Sequence, residues 1–387
     1  MPAILVICND GDYFLRHRVA VIDDLVARGF DVTVVTGGTP IPAAARAGWH
    51  YIHLPVERFR FHPVHDMRLV RVTRRLIGEL QPVAVHLITL KPAVFGGLAA
   101  LTARMRGRVL VTIPGLGRLM APDLAGRQRR GTPVRWLVER AIRLISARPN
   151  VRFTFETAAD RAHWLKRGLV SADKAHVVSG AGVDPQLYRP ADRQPAERPL
   201  RVLFASRLLR AKGLDLFVDT ARRLGGRSDA AFAVAGMLDA GDPDGLAPET
   251  LAAEPAIRFL GRVDDMAGLL RQTDVVCLPT RYGEGIPRIL IEAAASGVAC
   301  VASDLPGCSA IVRDGETGLL VAPGPDMGAA LTAAVARYLD EPQLAARHGA
   351  AGRALFEAGS FDQQSVVLQF ARLLGIEDAE RPTTAGT

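Results

Sequence analysis

The chain has 387 residues, of which 49% are hydrophobic and 23% charged, a composition typical of globular proteins and a length that favours two domains. No run of about 18 apolar residues is present, which argues against a membrane-spanning helix. The strand-like start of the sequence also argues against a signal peptide. Residues 1–200 carry 30 Lys and Arg against 16 Asp and Glu, a net charge of +14, whereas the remaining residues carry −6. This asymmetry indicates that the first half faces a polyanion: anionic lipid, nucleic acid or an anionic substrate.

Short apolar runs rich in Val and Ile alternate with helical patterns, which predicts parallel sheets covered by helices on both faces. In the first half we predict a helix at Arg18–Arg28 and strands at Ile4–Cys8, Val32–Thr36, Val83–Ile88, Val109–Ile113 and Val151–Phe155. In the second half we predict helices at Leu214–Leu224 and Met327–Leu339 and strands at Val202–Ala205, Phe232–Ala235, Ile257–Leu260, Val275–Pro279 and Val298–Ala302. The fold class is therefore α/β, with two doubly wound domains facing a cleft, because ligands of open parallel sheets bind beyond the carboxyl ends of the strands.

The segment from Arg189 to Pro199 is polar, contains three prolines and has no apolar periodicity, which predicts a linker. The predicted domains are residues 1–190 and residues 200–358. An amphipathic helix near residues 361–375 is expected to complete the first domain, and residues 381–387 are expected to be disordered.

The cysteines and histidines show no metal-binding pattern. The four cysteines are scattered without a C-x-x-C pair, which is typical of buried thiols in a reducing cytosol, and the nine histidines lack zinc-ligand spacing. Asp10-Gly11-Asp12 and Asp242-Pro243-Asp244 match a D-x-D metal signature, but both occur where polar turns are expected. We therefore predict no required metal and no cofactor.

Two glutamates flank a predicted helix start in Glu284–Glu292, whose sequence is EGIPRILIE. Pro287 suits the first helical position, and Gly297 is a natural stop. Carboxylates on both sides of a helix N-terminus would repel a bound phosphate, so hydroxyl groups are their better partners, as in a nucleotide-sugar. The alternative is two helix-end glutamates, one favouring the helix dipole and one solvated.

A pair of basic residues follows the strand Val202–Ala205. Arg207 and Lys212 at the carboxyl end of a strand can clamp a diphosphate and stabilise charge on a departing group. The alternative is that both are solvent-facing loop residues. Their occurrence in the same domain as the glutamates favours the diphosphate interpretation.

These features together resemble the retaining family-4 glycosyltransferases of GT-B fold, and within them the CapM-like capsule and lipopolysaccharide group. The resemblance covers nearly the whole chain. It is carried by the segments ICNDGDYFLRHR, HLITLKPAVFGGLAA, VTIPGLG, SGAGVD, SRLLRAKGLDLF, FLGRVDDM and LPTRYGEGIPRILIEAAASGVACVASDLPGCSAIVRDGETGLLV.

The resemblance implies roles for individual residues of the site. The residues expected to bind the diphosphate and the donor sugar during catalysis are Arg207, Lys212 and Glu284. Further contacts to the nucleotide-sugar are expected from Gly11, Arg262, Val263, Gly285, Ile286, Pro287 and Glu292. Within this set, Glu292 would bind the ribose, and Arg262 and Val263 would lie near a uracil-like base.

Two departures from the family pattern concern the sugar. Family members often have a histidine that reaches the donor sugar at the position of Pro114, and a related H-x-H-T motif keeps only its first histidine here, His86. The nucleotide and diphosphate assignments do not depend on these positions. The sugar and the acceptor are the less specified part of the prediction.

The acceptor is expected to contact the first half. The residues that would point toward an acceptor diphosphate are Arg16, His17, Arg18 and Lys91, with charged surface positions as the alternative. Basic clusters at Arg58–Arg75 and Arg127–Arg148 are typical of contact with anionic headgroups. The second cluster, which includes Trp136, can equally be a helix packed on its own domain. Nucleic acid is disfavoured because only 6% of residues are aromatic and no recognition motif occurs.

We therefore predict a cytoplasmic enzyme, peripherally associated with the inner face of the cell membrane. It would transfer a sugar, an N-acetylhexosamine by resemblance, from a UDP-sugar to a polyprenyl-diphosphate-linked acceptor in polysaccharide, lipopolysaccharide or capsule biosynthesis. The alternatives are a nucleotide-sugar epimerase of the same fold and a non-catalytic relative that binds lipid or polymer.

Overall fold

The computed structural model describes residues 1–45, 48–55, 63–115, 133–191, 199–238 and 244–376, and the chain forms two compact units. The first unit contains the described residues up to Gly182 together with those from Gln363 onward, and the second contains those from Val183 to Asp362. Several predicted features lie outside the described residues: 192–198 of the linker, the tail 381–387, Asp242 and Pro243, and residues 58–62 and 127–132 of the basic clusters.

A seven-stranded parallel sheet forms the centre of the first unit. Its strands are β1 (Ala3–Cys8), β2 (Asp31–Thr36), β3 (His50–His53), β4 (Ala84–Ile88), β5 (Arg108–Ile113), β6 (Val151–Phe155) and β7 (Ala175–Val177). Their order is β3-β2-β1-β4-β5-β6-β7, so the direction of winding reverses between β1 and β4. The five predicted strands are confirmed, and the two that the sequence does not predict, β3 and β7, are the short edge strands.

Helices cover both faces of this sheet, as the alternating pattern predicts. They are α1 (Gly11–His17), α2 (Val19–Ala27), α3 (Pro63–Leu80), α4 (Gly97–Thr102), α5 (Pro133–Ser146), α6 (Ala158–Lys166) and the last helix of the chain, α14 (Gln363–Leu374). A π-helical turn at Pro92–Gly96 precedes α4. One core contains buried residues of α1, α2 and α14, such as Phe14 and Phe370, and the other contains residues of α3, α5 and α6, such as Ile142 and Trp164.

The second unit is built on a six-stranded parallel sheet. Its strands are β8 (Leu200–Ala205), β9 (Ala230–Ala235), β10 (Arg258–Gly261), β11 (Val275–Leu278), β12 (Ala299–Ser303) and β13 (Gly318–Val321). Its helices are α7 (Leu214–Leu224), α8 (Pro248–Ala252), α9 (Met266–Leu270), α10 (Arg288–Ala295), α11 (Pro306–Ser309), α12 (Met327–Asp340) and α13 (Pro342–Ala358). Both units are thus doubly wound α/β folds, as predicted.

The chain enters the second unit before the predicted linker begins. The amide of Val183 donates to the carbonyl of Phe361 over 3.0 Å, and Tyr188, only 7% exposed, belongs to the core of the second unit. The first crossing therefore lies next to Gly182 rather than near residue 190, and the chain returns at Gln363 with α14, whose Phe370 is buried in the first unit.

Candidate active site

The predicted diphosphate and sugar residues lie where the winding of the second sheet reverses. In the order β10-β9-β8-β11-β12-β13, the chain leaves β8 in one direction and β11 in the other. The loops after these two adjacent strands therefore diverge and leave a crevice at the carboxyl edge of the sheet, the usual ligand position in open α/β sheets. Arg207 and Lys212 follow β8, and Glu284 follows β11.

Lys212 ends a tight turn that only glycine can follow. Residues Arg210–Lys212 form a 3-10 turn, and Gly213 comes next with a φ of 77°. A Cβ at Gly213 would overlap the carbonyl oxygen of Pro279, which follows β11. The glycine thus brings the two loops together and leaves Lys212 only 5% exposed.

Neighbouring segments hold this turn in place. The carboxylate of Asp244 accepts a hydrogen bond from the amide of Ala211 over 2.7 Å. From the other side, the amide of Arg281 donates to the carbonyl of Ala211 over 2.8 Å, and its guanidinium forms a two-pronged ion pair with Asp215 at 2.7 and 2.8 Å. Lys212 is therefore positioned before any ligand binds. Asp244, predicted as part of a plain loop, acts as a support of the site.

Lys212 forms an ion pair with Glu284. The ammonium also lies 5.0 Å from the centre of the Tyr282 ring, and Arg207 donates to the Tyr282 hydroxyl over 3.1 Å. Burial opposes the charge on Lys212, but the Glu284 carboxylate and its hydrogen bond raise the pKa of Lys212 above its usual value. Two permanent positive charges therefore meet around Tyr282, a residue that the sequence analysis did not single out.

One oxygen of Glu284 is left for a ligand. Oε2 accepts from Lys212, whereas Oε1 is buried and has no hydrogen-bond partner within the described part of the chain. A buried carboxylate oxygen without a donor is costly, so a hydroxyl group placed there would be bound favourably. The backbone beside it is tightly packed, because a Cβ at Gly307 would overlap the carbonyl oxygens of Glu284 and Gly285.

Glu292 lies on α10 and already has protein partners. Its Oε1 accepts from Nε of Arg288 over 2.7 Å, and the Tyr188 hydroxyl is close enough to feel its charge. Burial, and then the negative charge of Glu292, raise the pKa of Tyr188. The helix boundaries agree with the prediction within one residue: Pro287 is the N-cap, and Gly297, with a φ of 67°, follows the C-cap Ser296.

The predicted base-contacting residues lie farther along the same edge. Arg262 and Val263 follow β10, and Arg262 is exposed and paired with Asp264 at 2.8 Å. Gly236, after β9, connects them to the crevice: its amide donates to the carbonyl of Gly261 over 2.8 Å, and a Cβ there would overlap the carbonyl oxygen of Ser206.

In the first unit, the loop after β1 leads into α1, which carries Gly11 and two of the predicted acceptor residues, Arg16 and His17. A Cβ at Gly11 would overlap the carbonyl oxygen of Thr39, so close packing already requires this glycine. Arg16 is exposed in the last turn. The His17 ring stacks on Tyr13 with centroids 4.3 Å apart, and its Nδ1 lies 2.9 Å from the Tyr13 carbonyl oxygen.

The other two predicted acceptor residues are buried in ion pairs, contrary to the expectation that they point toward a ligand. Arg18, 1% exposed, pairs with Glu156 at 3.2 Å and lies 5.1 Å from the Phe370 ring centre. Lys91, 5% exposed, pairs with Asp66 at 2.9 Å. Both cations neutralise a carboxylate inside the unit, because a buried charge without a partner is strongly disfavoured. A packing role accounts for each.

The D-x-D aspartates and His86 also have structural partners. Oδ1 of Asp10 caps α1 by accepting from the amide of Tyr13 over 2.7 Å, and Asp12 accepts from Thr39 over 3.0 Å. Burial, reinforced by the charge of Arg18, lowers the pKa of His86 to about 3.

Within the described ranges no group of three or more His, Cys, Asp or Glu side chains could hold a metal ion. No helix of the described chain has the length and apolarity that crossing a bilayer requires.

Comparison with known proteins identifies the family. Residues 16–187 match the Glycosyltransferase Family 4 model, and residues 199–341 match the Glycosyl transferases group 1 model. A lipopolysaccharide core biosynthesis mannosyltransferase of Rhizobium leguminosarum bv. viciae is 31% identical over 74% of this chain and 88% of its own length. A phosphatidyl-myo-inositol mannosyltransferase of Mycobacterium tuberculosis is 38% identical, but over only 34% of this chain and 36% of its own length.

Solved structures share the fold at low sequence identity. Sucrose-phosphate synthase from Thermosynechococcus elongatus has a TM-score of 0.74 at 22% identity, covering 96% of this chain and 98% of its own. Anabaena HepE, solved with UDP and glucose, has a TM-score of 0.71 at 17% identity, covering 96% of this chain and 99% of its own. With its two parallel-sheet units, this chain belongs to the family-4 glycosyltransferases of GT-B fold.

Proposed function

We propose that the chain transfers a sugar from a UDP-sugar to a lipid-linked acceptor, with retention of anomeric configuration. The donor part rests on the group of residues at the β8/β11 crevice. Lys212, Arg207 and Tyr282 lie beside a Glu284 oxygen to which no described residue donates a hydrogen bond. Two cations suit a diphosphate, and the vacant carboxylate oxygen suits a sugar hydroxyl.

In the proposed reaction the acceptor hydroxyl attacks the anomeric carbon from the face that the diphosphate leaves. The bond from the anomeric carbon to the diphosphate oxygen breaks as the bond to the acceptor oxygen forms. The acceptor proton passes to the departing diphosphate, whose growing charge Lys212 and Arg207 stabilise. No protein nucleophile and no metal are needed, so activity is expected in the presence of a chelator.

The donor sugar has two candidates. The CapM-like resemblance favours an N-acetylhexosamine, and the two mannosyltransferase relatives favour mannose. Both present hydroxyl groups for Glu284 Oε1. Transfer assays with UDP-GlcNAc, UDP-GalNAc and GDP-mannose distinguish them, and nucleotide-sugar turnover without any acceptor would favour an epimerase instead.

The nucleotide assignment is tested by calorimetric titration with UDP. We expect Glu292→Ala to weaken UDP binding by about tenfold, since a lost hydrogen bond to a ribose hydroxyl costs roughly 1–2 kcal/mol. Arg288→Ala is the matched control, because it removes the Arg288 ion pair and keeps the carboxylate. UDP affinity that is unchanged in Glu292→Ala contradicts the ribose role, and binding of GDP but not UDP would replace the proposed nucleotide.

For the acceptor, we propose a polyprenyl-diphosphate-linked saccharide in polysaccharide, lipopolysaccharide or capsule assembly, met at an anionic membrane surface. The positive charge of the first half supports a partner with phosphates at a bilayer. The names of the two relatives, which refer to phosphatidyl-myo-inositol and to lipopolysaccharide core, also point to lipid-borne acceptors.

Helix α5 provides the membrane contact in this proposal. Its outward stripe exposes large apolar side chains, with Trp136 57%, Leu137 58% and Leu144 62% accessible. The guanidinium of Arg140 lies 5.1 Å from the Trp136 ring centre. Apolar side chains interleaved with arginine are the pattern of a helix lying in a lipid headgroup layer.

A tryptophan signal tests this contact directly. Trp49 and Trp164 are buried, so a blue shift of emission on phosphatidylglycerol vesicles would report Trp136. Leu137→Ala/Leu144→Ala is expected to weaken vesicle binding by roughly tenfold, from the lost burial of two leucine side chains. Leu368→Ala, which removes a leucine that is 46% exposed on α14, is the control and should bind normally. Equal weakening in both variants contradicts docking through α5.

A further inference from the structure

We propose that an arginine-lined cavity at the C-terminal end of α5 binds the phosphate headgroup of an anionic glycerophospholipid. The cavity has a volume of about 440 Å³ and lies between α4, α5 and the starts of β5 and β6. It is at the amino edge of the first sheet, opposite the strand ends that carry the loops of the predicted acceptor residues. The inference rests on the proposed membrane contact of α5 and does not depend on the donor chemistry.

Three exposed arginines, Arg104, Arg106 and Arg148, line this cavity, and no acidic side chain of the described residues lines it. Among the described residues, none of the three guanidinium groups forms a hydrogen bond or an ion pair, whereas Arg18, Arg135 and Arg227 are each paired with a carboxylate. A phosphate bound there would gain charge-assisted hydrogen bonds from guanidinium groups that form none among the described residues.

The backbone of Arg104 adopts a left-handed conformation that favours glycine. Arg104 has a φ of 53° and follows α4 in the position that usually holds glycine. Both hydrogen bonds of a Schellman motif, the usual glycine-containing helix end, are present: Met105 N donates to Ala100 O over 3.0 Å, and Arg104 N donates to Leu101 O over 3.1 Å. A left-handed arginine is strained relative to glycine, and such strain is concentrated at functional sites.

Apart from Asn150, the side chains that line the rest of the cavity are apolar, which favours a lipid over free phosphate. Leu101, Val109 and Ile145 line it beside the arginines. Ile145 is buried next to Leu144, which is on the exposed stripe of α5, and the exposed Arg148 follows two residues after the end of this helix. The cavity therefore lies beside the end of the helix proposed to contact the membrane. The headgroup phosphate would contact the arginines, and the first carbons of the lipid's acyl chains would contact the apolar wall.

The test is calorimetric titration of the full chain with dihexanoylphosphatidylglycerol below its micellar concentration, without donor or acceptor. We expect saturable binding of one lipid. Dihexanoylphosphatidylcholine, which has no net charge, and glycerol phosphate, which has no acyl chains, should each bind about tenfold more weakly or worse. Glycerol phosphate binding as tightly as the lipid would overturn the lipid assignment in favour of a free-phosphate site. Equal binding of the two lipids would overturn the role of the arginines.

Arg104→Gly separates binding from folding. It keeps the helix-ending motif, so Tm should be unchanged or higher, while lipid affinity falls by about tenfold. The charge-matched control is Arg71→Ala, at an exposed position of α3 in the same unit, and it should leave lipid affinity unchanged. Alanine is used because glycine would destabilise the interior of this helix. Leu101→Trp fills the cavity, keeps every arginine and should also abolish binding. Wild-type affinity in Arg104→Gly, or an equal loss in Arg71→Ala, overturns the proposal, and UDP titration of the same samples shows that the donor site is unaffected.

Discussion

Replacing Lys212 with alanine should lower kcat by about 10²–10³-fold, equivalent to roughly 3–4 kcal/mol of transition-state stabilisation. Lys212 is buried in the β8/β11 crevice, paired with Glu284 and positioned by a turn that Asp244 and Gly213 fix. A charge held in place in this way stabilises the departing diphosphate without reorganisation, so its loss affects the transition state more than substrate binding. We therefore expect KM to change much less than kcat.

The fold should survive this substitution. Glu284 loses its partner, but its side chain is 23% exposed and can be solvated, which limits the loss of stability to about 1–3 kcal/mol. Steady-state kinetics on protein with an unchanged far-UV circular dichroism spectrum separate the two effects. Arg222→Ala, which removes an exposed cation of α7 in the same unit, is the control and should retain full activity.

A double-mutant cycle distinguishes catalysis from charge pairing. Glu284→Gln alone should also reduce kcat, because it weakens the acceptor for the sugar hydroxyl and frees Lys212. If both residues act on the same bound donor, the double variant Lys212→Ala/Glu284→Gln should be little worse than Lys212→Ala. Normal turnover by Lys212→Ala would rule out the diphosphate role, and strict additivity of the two losses would mean that Lys212 and Glu284 act on the donor independently.

The fold was predictable from sequence wherever strands are buried on both faces. Central strands such as β1 and β11 appear as continuous apolar runs because helices cover both sides of each sheet. Three strands at sheet edges, β3, β7 and β13, were not predicted. Of these, β3 and β7 are short and partly exposed, and His50–His53 has two histidines in four residues. Such strands are defined by pairing with their neighbour rather than by an apolar run.

For the site, the sequence identifies several of the loop residues but does not show which side chains surround them. Lys212 and Glu284 are 72 positions apart, and their direct contact follows from the adjacency of β8 and β11 in the sheet. Tyr282 carries no motif signal, since an aromatic residue in a loop is common, and the D-x-D match of Asp244 does not indicate its hydrogen bond to Ala211. Arg18 shows the converse: a basic residue in a charged segment looks solvent-exposed in sequence, and only the distant Glu156 and Phe370 explain its burial.

That burial leads to the second large effect, which concerns stability. Glu156→Ala should lower the free energy of unfolding by about 3–5 kcal/mol, because Arg18 would then be a buried cation without its carboxylate. Arg18 is 1% exposed, and the Glu156 side chain is 7% exposed. The pair links the junction of α1 and α2 to the end of β6, and Phe370 of α14 packs against the guanidinium. Urea unfolding followed by circular dichroism measures the change.

The double variant Arg18→Met/Glu156→Gln discriminates packing from acceptor binding. It removes both charges and keeps most of the buried volume, so it should recover most of the stability that Glu156→Ala loses. If Arg18 serves only packing, this variant should also transfer sugar with a normal KM for the acceptor. Recovered stability with a large rise in that KM would instead restore the acceptor role predicted from the sequence. Failure to recover stability would mean that Arg18 and Glu156 contribute through separate partners, because a pair that acts only through mutual neutralisation costs little once both charges are gone.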